Sequence, residues 1–189
     1  MTSGTSRCCV ADLKQKFLSG ETFAEFLVRP KRYGDFWQAQ YNRAKIPEDI
    51  LARAMKLTKQ WHLLVLSEDW CGDSINQLPL IARVMESVPC IDLRIISRDA
   101  NLDVMDDHLT GRSRSIPAII LLDEGFAEKG WWGPRPAPLQ KWVLETGLSL
   151  PKEERYREVR TWYARDHGRT VLTELLDKIE SNGVEPAEV

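Results

Sequence analysis

The sequence predicts an α/β fold: a mixed central sheet flanked by helices, with further helical extensions at the N- and C-terminal ends. Three observations predict it. Short runs rich in Val, Ile and Leu (Trp61 to Ser67, Ile91 to Ser97, Ile116 to Leu122) alternate with stretches of helical periodicity. The turn signal Asp123-Glu124-Gly125 leads straight into another strand-like run, Ala127 to Trp132, which makes a hairpin and so an antiparallel edge. Residues 8 to 57 and the charged stretch after Pro151 read as helices throughout.

Four helical pieces open the chain: Val10 to Leu18, Thr22 to Val28, Tyr33 to Arg43 and Pro47 to Leu57. Pro30, Gly34 and Pro47 punctuate them, and Pro47 followed by two acids suits a helix start, where a missing N–H costs nothing and negative charge meets the positive end of the dipole. Trp61 to Ser67 is apolar enough for a strand buried on both faces. From Ile75 to Met85 the apolar residues Ile75, Leu78, Ile81, Ala82 and Met85 recur at helical spacing, with Pro79 expected to kink the helix. Strand Ile91 to Ser97, a short helix Asp99 to Leu109 closing near Gly111, and strand Ile116 to Leu122 follow. This alternation predicts a mainly parallel sheet, which the hairpin makes mixed. Leu139 to Glu145 is a further helix, and Pro151 to Ile179 reads as one long or two shorter helices packed on the outside, with a break near His167-Gly168.

At 189 residues the chain is expected to form one domain, with a core over 58–148 and helical extensions over 8–57 and 149–181. Hydrophobic content of 43%, charged content of 29% and a net charge of -2 are ordinary for a globular protein and argue against a nucleic-acid partner. No apolar run approaches the roughly 20 residues that span a membrane, and Met1 to Lys16 lacks the order of a signal peptide, so a cytoplasmic location is expected and no membrane partner. The cysteines Cys8, Cys9, Cys71 and Cys90 are too few and too unevenly placed for a disulfide scaffold, and reduced thiols are expected.

Cys71 draws the most attention. It lies in Trp70-Cys71-Gly72-Asp73-Ser74, between a buried strand and a helix. Unpaired amides and the helix dipole stabilise a thiolate at such a junction, which predicts a lowered pKa. Asp73 adds a negative charge beside the sulfur and opposes that effect. Ser74 stands three residues on, where a dithiol protein has its second Cys; a hydroxyl can hydrogen-bond the sulfur but cannot form a disulfide. The site can attack a disulfide and cannot resolve the product by itself.

The order strand, Trp-Cys-Gly, helix with Pro79, strand, helix, Ile116-Pro117, strand, hairpin and helix resembles the thioredoxin fold. The match is closer to bacterial thioredoxin-like proteins carrying Glu-Asp-Trp-Cys-Gly-Asp, here Glu68 to Asp73, with Arg114 to Pro117, Trp132 to Pro136 and the tail motif Trp162 to Asp166. The core resemblance covers residues 58 to 148. It implies a cis bond before Pro117, presenting the backbone of Ile116 to an extended substrate, and a glycine, Gly133, closing the last strand. Val65 stands where thioredoxins carry a buried acid, so together with Ser74 the chain departs from a general dithiol reductase.

The resemblance implies monothiol exchange with a protein disulfide or with glutathione, with Cys71, Ser74 and Pro117 as catalytic residues and Trp70, Gly72, Asp73, Ser115 and Ile116 at the substrate. No cofactor and no metal is implied: His62, His108 and His167 are scattered and no Cys or His pair has the spacing of a zinc knuckle. The alternative is a redox-inactive module that docks partners on the same fold. A glutathione- or cluster-holding monothiol glutaredoxin is disfavoured, because no Gly-Gly-aromatic-Ser-Asp segment lies between Asp123 and Gly133, and a cysteine hydrolase explains the strand-to-helix context less well. Cys8-Cys9 suits a reduced tail better than a resolving pair, and Cys90 beside Pro89 a buried small residue. Arg98, Arg112 and Arg114 could attract an acidic partner but are more simply solvated; Trp131, Trp132, Trp142, Trp162 and Tyr163 suit packing, and Pro134-Arg135-Pro136 a stiff turn.

Overall fold

The computed structural model describes residues 10–29 and 32–183. Cys8 and Cys9 lie outside the described residues. In chain order the elements are α1 (Val10–Ser19), α2 (Phe23–Val28), α3 (Gly34–Arg43), α4 (Glu48–Ala54), β1 (Trp61–Ser67), α5 (Gly72–Glu86), β2 (Ile91–Ser97), α6 (Leu102–Asp106), β3 (Ala118–Leu122), β4 (Glu128–Trp132), α7 (Ala137–Glu145), α8 (Lys152–Asp166) and α9 (Arg169–Gly183), with a 3-10 turn at Gly147–Ser149. The sheet runs β2-β1-β3-β4.

One expectation needs correction. Only β1 and β2 are parallel; β3 runs antiparallel to β1, with Val65 opposite Ile119, and β4 antiparallel to β3. The reason is length. A seven-residue strand such as β2 spans about 23 Å, whereas the five residues of α6 rise about 7.5 Å, so this helix does not carry the chain back along the sheet. The chain turns at the end of β2 and re-enters from the same end, which brings the Pro117 loop beside Cys71. The free edge of β2 is covered by Glu21, whose backbone exchanges hydrogen bonds of 2.9 and 2.8 Å with Ile95.

Alternation along β1 sends side chains to two cores. Trp61, Leu63 and Val65 join Leu93, Ile119 and Leu121 against α5 and the buried stripe Val171, Leu172, Leu175, Leu176 and Ile179 of α9. That tail helix is therefore core structure and not an outer addition. Leu64 and Leu66 face the other side with Leu13, Phe17, Val104, Met105, Ile120 and Leu122. A third, small cluster joins α7 and α8 through Leu139, Val143, Val159 and Tyr163.

Two junctions place the site. Cys71 is the N-cap of α5, extended at φ -79 and ψ 115, and the helix runs from Gly72 through Pro79 to Glu86. The break between α8 and α9 falls at His167 (φ 52) and Gly168 (φ 73), where a Cβ would meet Leu80 of α5. This seats the α8–α9 break against α5 at Leu80. The Ile116–Pro117 and Gly133–Pro134 bonds are both cis.

Candidate functional site

The strand-to-helix junction holds Cys71 by the hydrogen bonds that any N-cap satisfies. The Ser74 amide donates to Sγ at 3.5 Å, and the thiol itself donates to the Ile116 carbonyl at 3.4 Å. The Ser74 side chain, fully buried, accepts from Ser67 Oγ at 2.8 Å beneath the sulfur. The residues before Cys71 are anchored in turn: Glu68 accepts from Ser97 Oγ and the Asp99 amide, and the Asp69 carbonyl accepts from Trp37 Nε1.

Asp73 is the residue that the structure redefines. Its side chain points inward, and the residue is 9% exposed. Arg135 grips it with both arms, Nε to Oδ1 at 3.0 Å and Nη2 to Oδ2 at 2.5 Å, and the Tyr163 hydroxyl donates to Oδ1 at 2.9 Å. The Gln77 amide, one turn along α5, reaches the Asp73 carbonyl at 3.1 Å, the Pro134 carbonyl at 2.9 Å and the Tyr163 hydroxyl at 2.8 Å. Three separate stretches singled out in the sequence, Glu68 to Asp73, Trp132 to Pro136 and Trp162 to Asp166, thus meet on one buried charge. Gly133 makes the approach possible: at φ +140 it lies so close to the Pro117 carbonyl that a Cβ would stand 2.1 Å from that oxygen.

The electrostatics run against the expected acidic thiol. Burial pushes the Cys71 pKa up, the Asp73 charge pushes the same way, and hydrogen bonds from Ser74 and from the Asp73 backbone only partly offset them. Desolvation at the cavity floor outweighs the helix terminus. Burial also raises the Asp73 carboxyl, opposed by Arg135 and Tyr163; the bidentate guanidinium contact is that of the ionised form. Burial draws the Arg135 guanidinium down, but Asp73 reverses this and holds it above its ordinary value. The Tyr163 phenol is pushed up by burial and by Asp73 and stays a donor.

Above the sulfur opens a cavity of about 720 Å³. Trp70, Cys71, Gly72, Asp73, Ser115 and Ile116 line it, while Ser74 and Pro117 lie buried behind its wall. Arg98 and Arg114 reach it and Arg112 does not. Arg98 pairs with Asp99 and lies over the Trp70 ring at 5.0 Å; Arg114 pairs with Asp106 at 2.6 and 2.8 Å. Arg135, Tyr163 and Gln77 are the members that sequence reasoning assigned to a turn or to packing or passed over. The available signal was chemical: an acid next to a buried sulfur needs a cation, and Arg135 stood in a neighbouring motif. Cys90 is remote from this cavity and only partly buried, its thiol donating to the Leu57 carbonyl. Among the described residues no group of three or more His, Cys, Asp and Glu is arranged to hold a metal, and no helix is long and apolar enough to cross a membrane.

The fold and this junction define a thioredoxin-like protein. The chain belongs to the thioredoxin family, whose family model matches residues 20–157. Among solved structures it is similar to a protein of unknown function from Pseudomonas aeruginosa, at 23% identity and a TM-score of 0.72, covering 96% of this chain and 99% of that one. It is also similar to an HIV epitope scaffold, at 24% identity and a TM-score of 0.67, covering 89% and 97% of the two chains. At these identities the likeness is one of fold. No curated protein matches the chain.

Proposed function

We propose that the protein carries out monothiol thiol–disulfide exchange through Cys71, forming mixed disulfides with a protein or with glutathione. The observation that supports this reading is the seat of the sulfur: an N-cap thiol with the Ser74 amide on it, at the floor of a cavity large enough for a substrate segment. In the exchange, Cys71 loses its proton to solvent and its thiolate attacks one sulfur of the substrate disulfide. The old S–S bond breaks, its second sulfur leaves as a thiolate, and a Cys71–substrate disulfide forms. Ser74 offers no second thiol, so an external thiol must attack the mixed disulfide and restore Cys71.

The raised pKa sets the pace. Few molecules carry the thiolate at neutral pH, yet a thiolate of higher pKa is intrinsically the better nucleophile and the poorer leaving group. Exchange is then slow with small disulfides, speeds up as pH rises through the thiol range, and leaves a long-lived adduct. The same raised pKa favours a second reading, a redox-inactive module that docks partners in the cavity. Challenge with glutathione disulfide over a range of pH, followed by intact mass, separates the two. An adduct on Cys71 whose rate climbs with pH supports exchange; no adduct at any pH leaves the docking module.

A further inference from the structure

A second cavity, of about 270 Å³, adjoins the first and shares Gln40, Asn76 and Arg160 with it. Together they form a trough from the Pro117 loop past Cys71 to the break between α8 and α9. The charge along it is one-sided. Although the chain carries a net charge of -2, the described residues lining the two cavities include seven Lys or Arg and one acid, Asp73, which Arg135 neutralises. Arg98 and Arg114 are likewise committed to Asp99 and Asp106. Arg43, Lys45, Lys152 and Arg160 form no ion pair among the described residues. Among the described residues no carboxylate pairs with their positive charge, Lys152 lying over the Tyr156 ring at 5.8 Å, and low-dielectric walls concentrate such a field over the trough.

The rim is aromatic. Tyr33, Phe36, Trp70 and Tyr156 all line the larger cavity, and each leaves more than two fifths of its surface in water. Exposed aromatics gathered around one opening mark a surface that a partner covers. A small anion such as glutathione would meet the cations and leave these rings bare, since it has no large apolar group. A polypeptide with acidic and apolar side chains would meet both.

We infer that the trough docks an acidic polypeptide segment, its carboxylates on Arg43, Lys45, Lys152 and Arg160 and its apolar side chains among Tyr33, Phe36, Trp70 and Tyr156, with its disulfide over Cys71. This rests on the exchange reading for the disulfide alone; the docking surface stands without it.

The test uses synthetic peptides with one aromatic residue and a Cys carried as a 2-pyridyl disulfide, flanked by Asp and Glu, by Asn and Gln, or by Lys. Attack by Cys71 joins the peptide sulfur to Sγ and expels 2-thiopyridone, which takes up the electron pair and a proton and is read by its absorbance, the rate of the matching Cys71→Ser protein being subtracted to remove release by Cys8, Cys9 and Cys90. The acidic peptide is expected to react on the order of ten-fold faster than the amide peptide at low salt, with the basic peptide slowest. That advantage should shrink toward parity at 1 M NaCl, where the Debye length is about 3 Å. The double variant K152E/R160E should reverse the order of acidic and basic peptides; if it does not fold, the salt series on the unmodified protein still decides. Equal rates for the three peptides at low salt overturn the proposal, and so does a glutathione 2-pyridyl disulfide that reacts as fast as the acidic peptide. If no disulfide reacts, exchange has failed and docking is read directly by fluorescence anisotropy of the acidic peptide with Ser for Cys. Salt-sensitive binding then upholds the surface, and no binding removes it.

Discussion

The two ends of β1 bury titratable groups in opposite ways. At its start, His62 lies flat on Phe126, ring centroids 4.2 Å apart, with Phe17 edge-on at 4.9 Å. Burial lowers the His62 pKa, Asp92 and Asp123 pull it back up and Arg94 presses it further down, so the neutral ring is favoured and serves as packing. Just past the other end of β1, at the Cys71 junction, burial raises a thiol and an aspartate, and the response is polar: a guanidinium, a phenol and an amide converge on Asp73, and a cavity opens above the sulfur. Desolvation acts at both ends. The difference lies in what surrounds the group: a closed aromatic stack removes the charge, whereas a satisfied ion pair keeps one and holds it beside a reactive atom.

The largest expected effect is loss of chemistry. In a protein with Cys8→Ser and Cys9→Ser, the further change Cys71→Ser should abolish the glutathione adduct detected by intact mass while Cys90→Ser retains it; an adduct that survives Cys71→Ser there would end the contrast between the two ends of β1 as one of function. Next in size, Gly133→Ala should cost about 3 kcal/mol or more in urea unfolding, because a Cβ there runs into the Pro117 backbone at a positive φ. Retained stability would mean that the Pro117 loop and the Arg135 turn can move apart.

Arg135→Met should destabilise by about 3 kcal/mol, since it leaves Asp73 buried without its cation. Adding Asp73→Asn to that variant should recover part of the loss; no recovery would show that Arg135 acts through packing. Asp73→Asn alone removes the second-largest influence on the thiol and should move the alkylation curve of Cys71 to lower pH, without displacing the stronger effect of burial. An unmoved curve would separate the ion pair from the sulfur.

The smallest effect belongs to His62. Its folded pKa is depressed, so its contribution to stability is present above the unfolded value of about 6.5 and is lost as pH falls through the lowered folded value. His62→Phe should therefore flatten the fall in urea midpoint between pH 7 and pH 5. A His62→Phe protein that loses stability on acidification just as the parent does would show that the stack does not hold the ring neutral.

Much of this was legible from local pattern. The strands β1 and β2, the N-cap position of Cys71 and the helix break at His167-Gly168 all follow from short-range chemistry: β-favouring apolar runs, a strand meeting a helix start, and a residue pair that tolerates positive φ. The direction of β3 was not legible, because the spacing of strands does not show which end of the sheet the chain re-enters. Arg98 and Arg114 were visible as cations near the loop, but their acid partners Asp99 and Asp106 were not, because side-chain direction and loop geometry, set by the fold, decide which acid a guanidinium reaches.

By itself the sequence determined that a lone thiol caps a helix after a buried strand and has no resolving partner in its motif, because both facts depend only on neighbours along the chain. Only the tertiary structure decided how that thiol is tuned. Its surroundings are Ile116 from a loop after α6, Arg135 from the turn after β4 and Tyr163 from α8, and desolvation by such distant segments outweighs the local pull of the helix terminus.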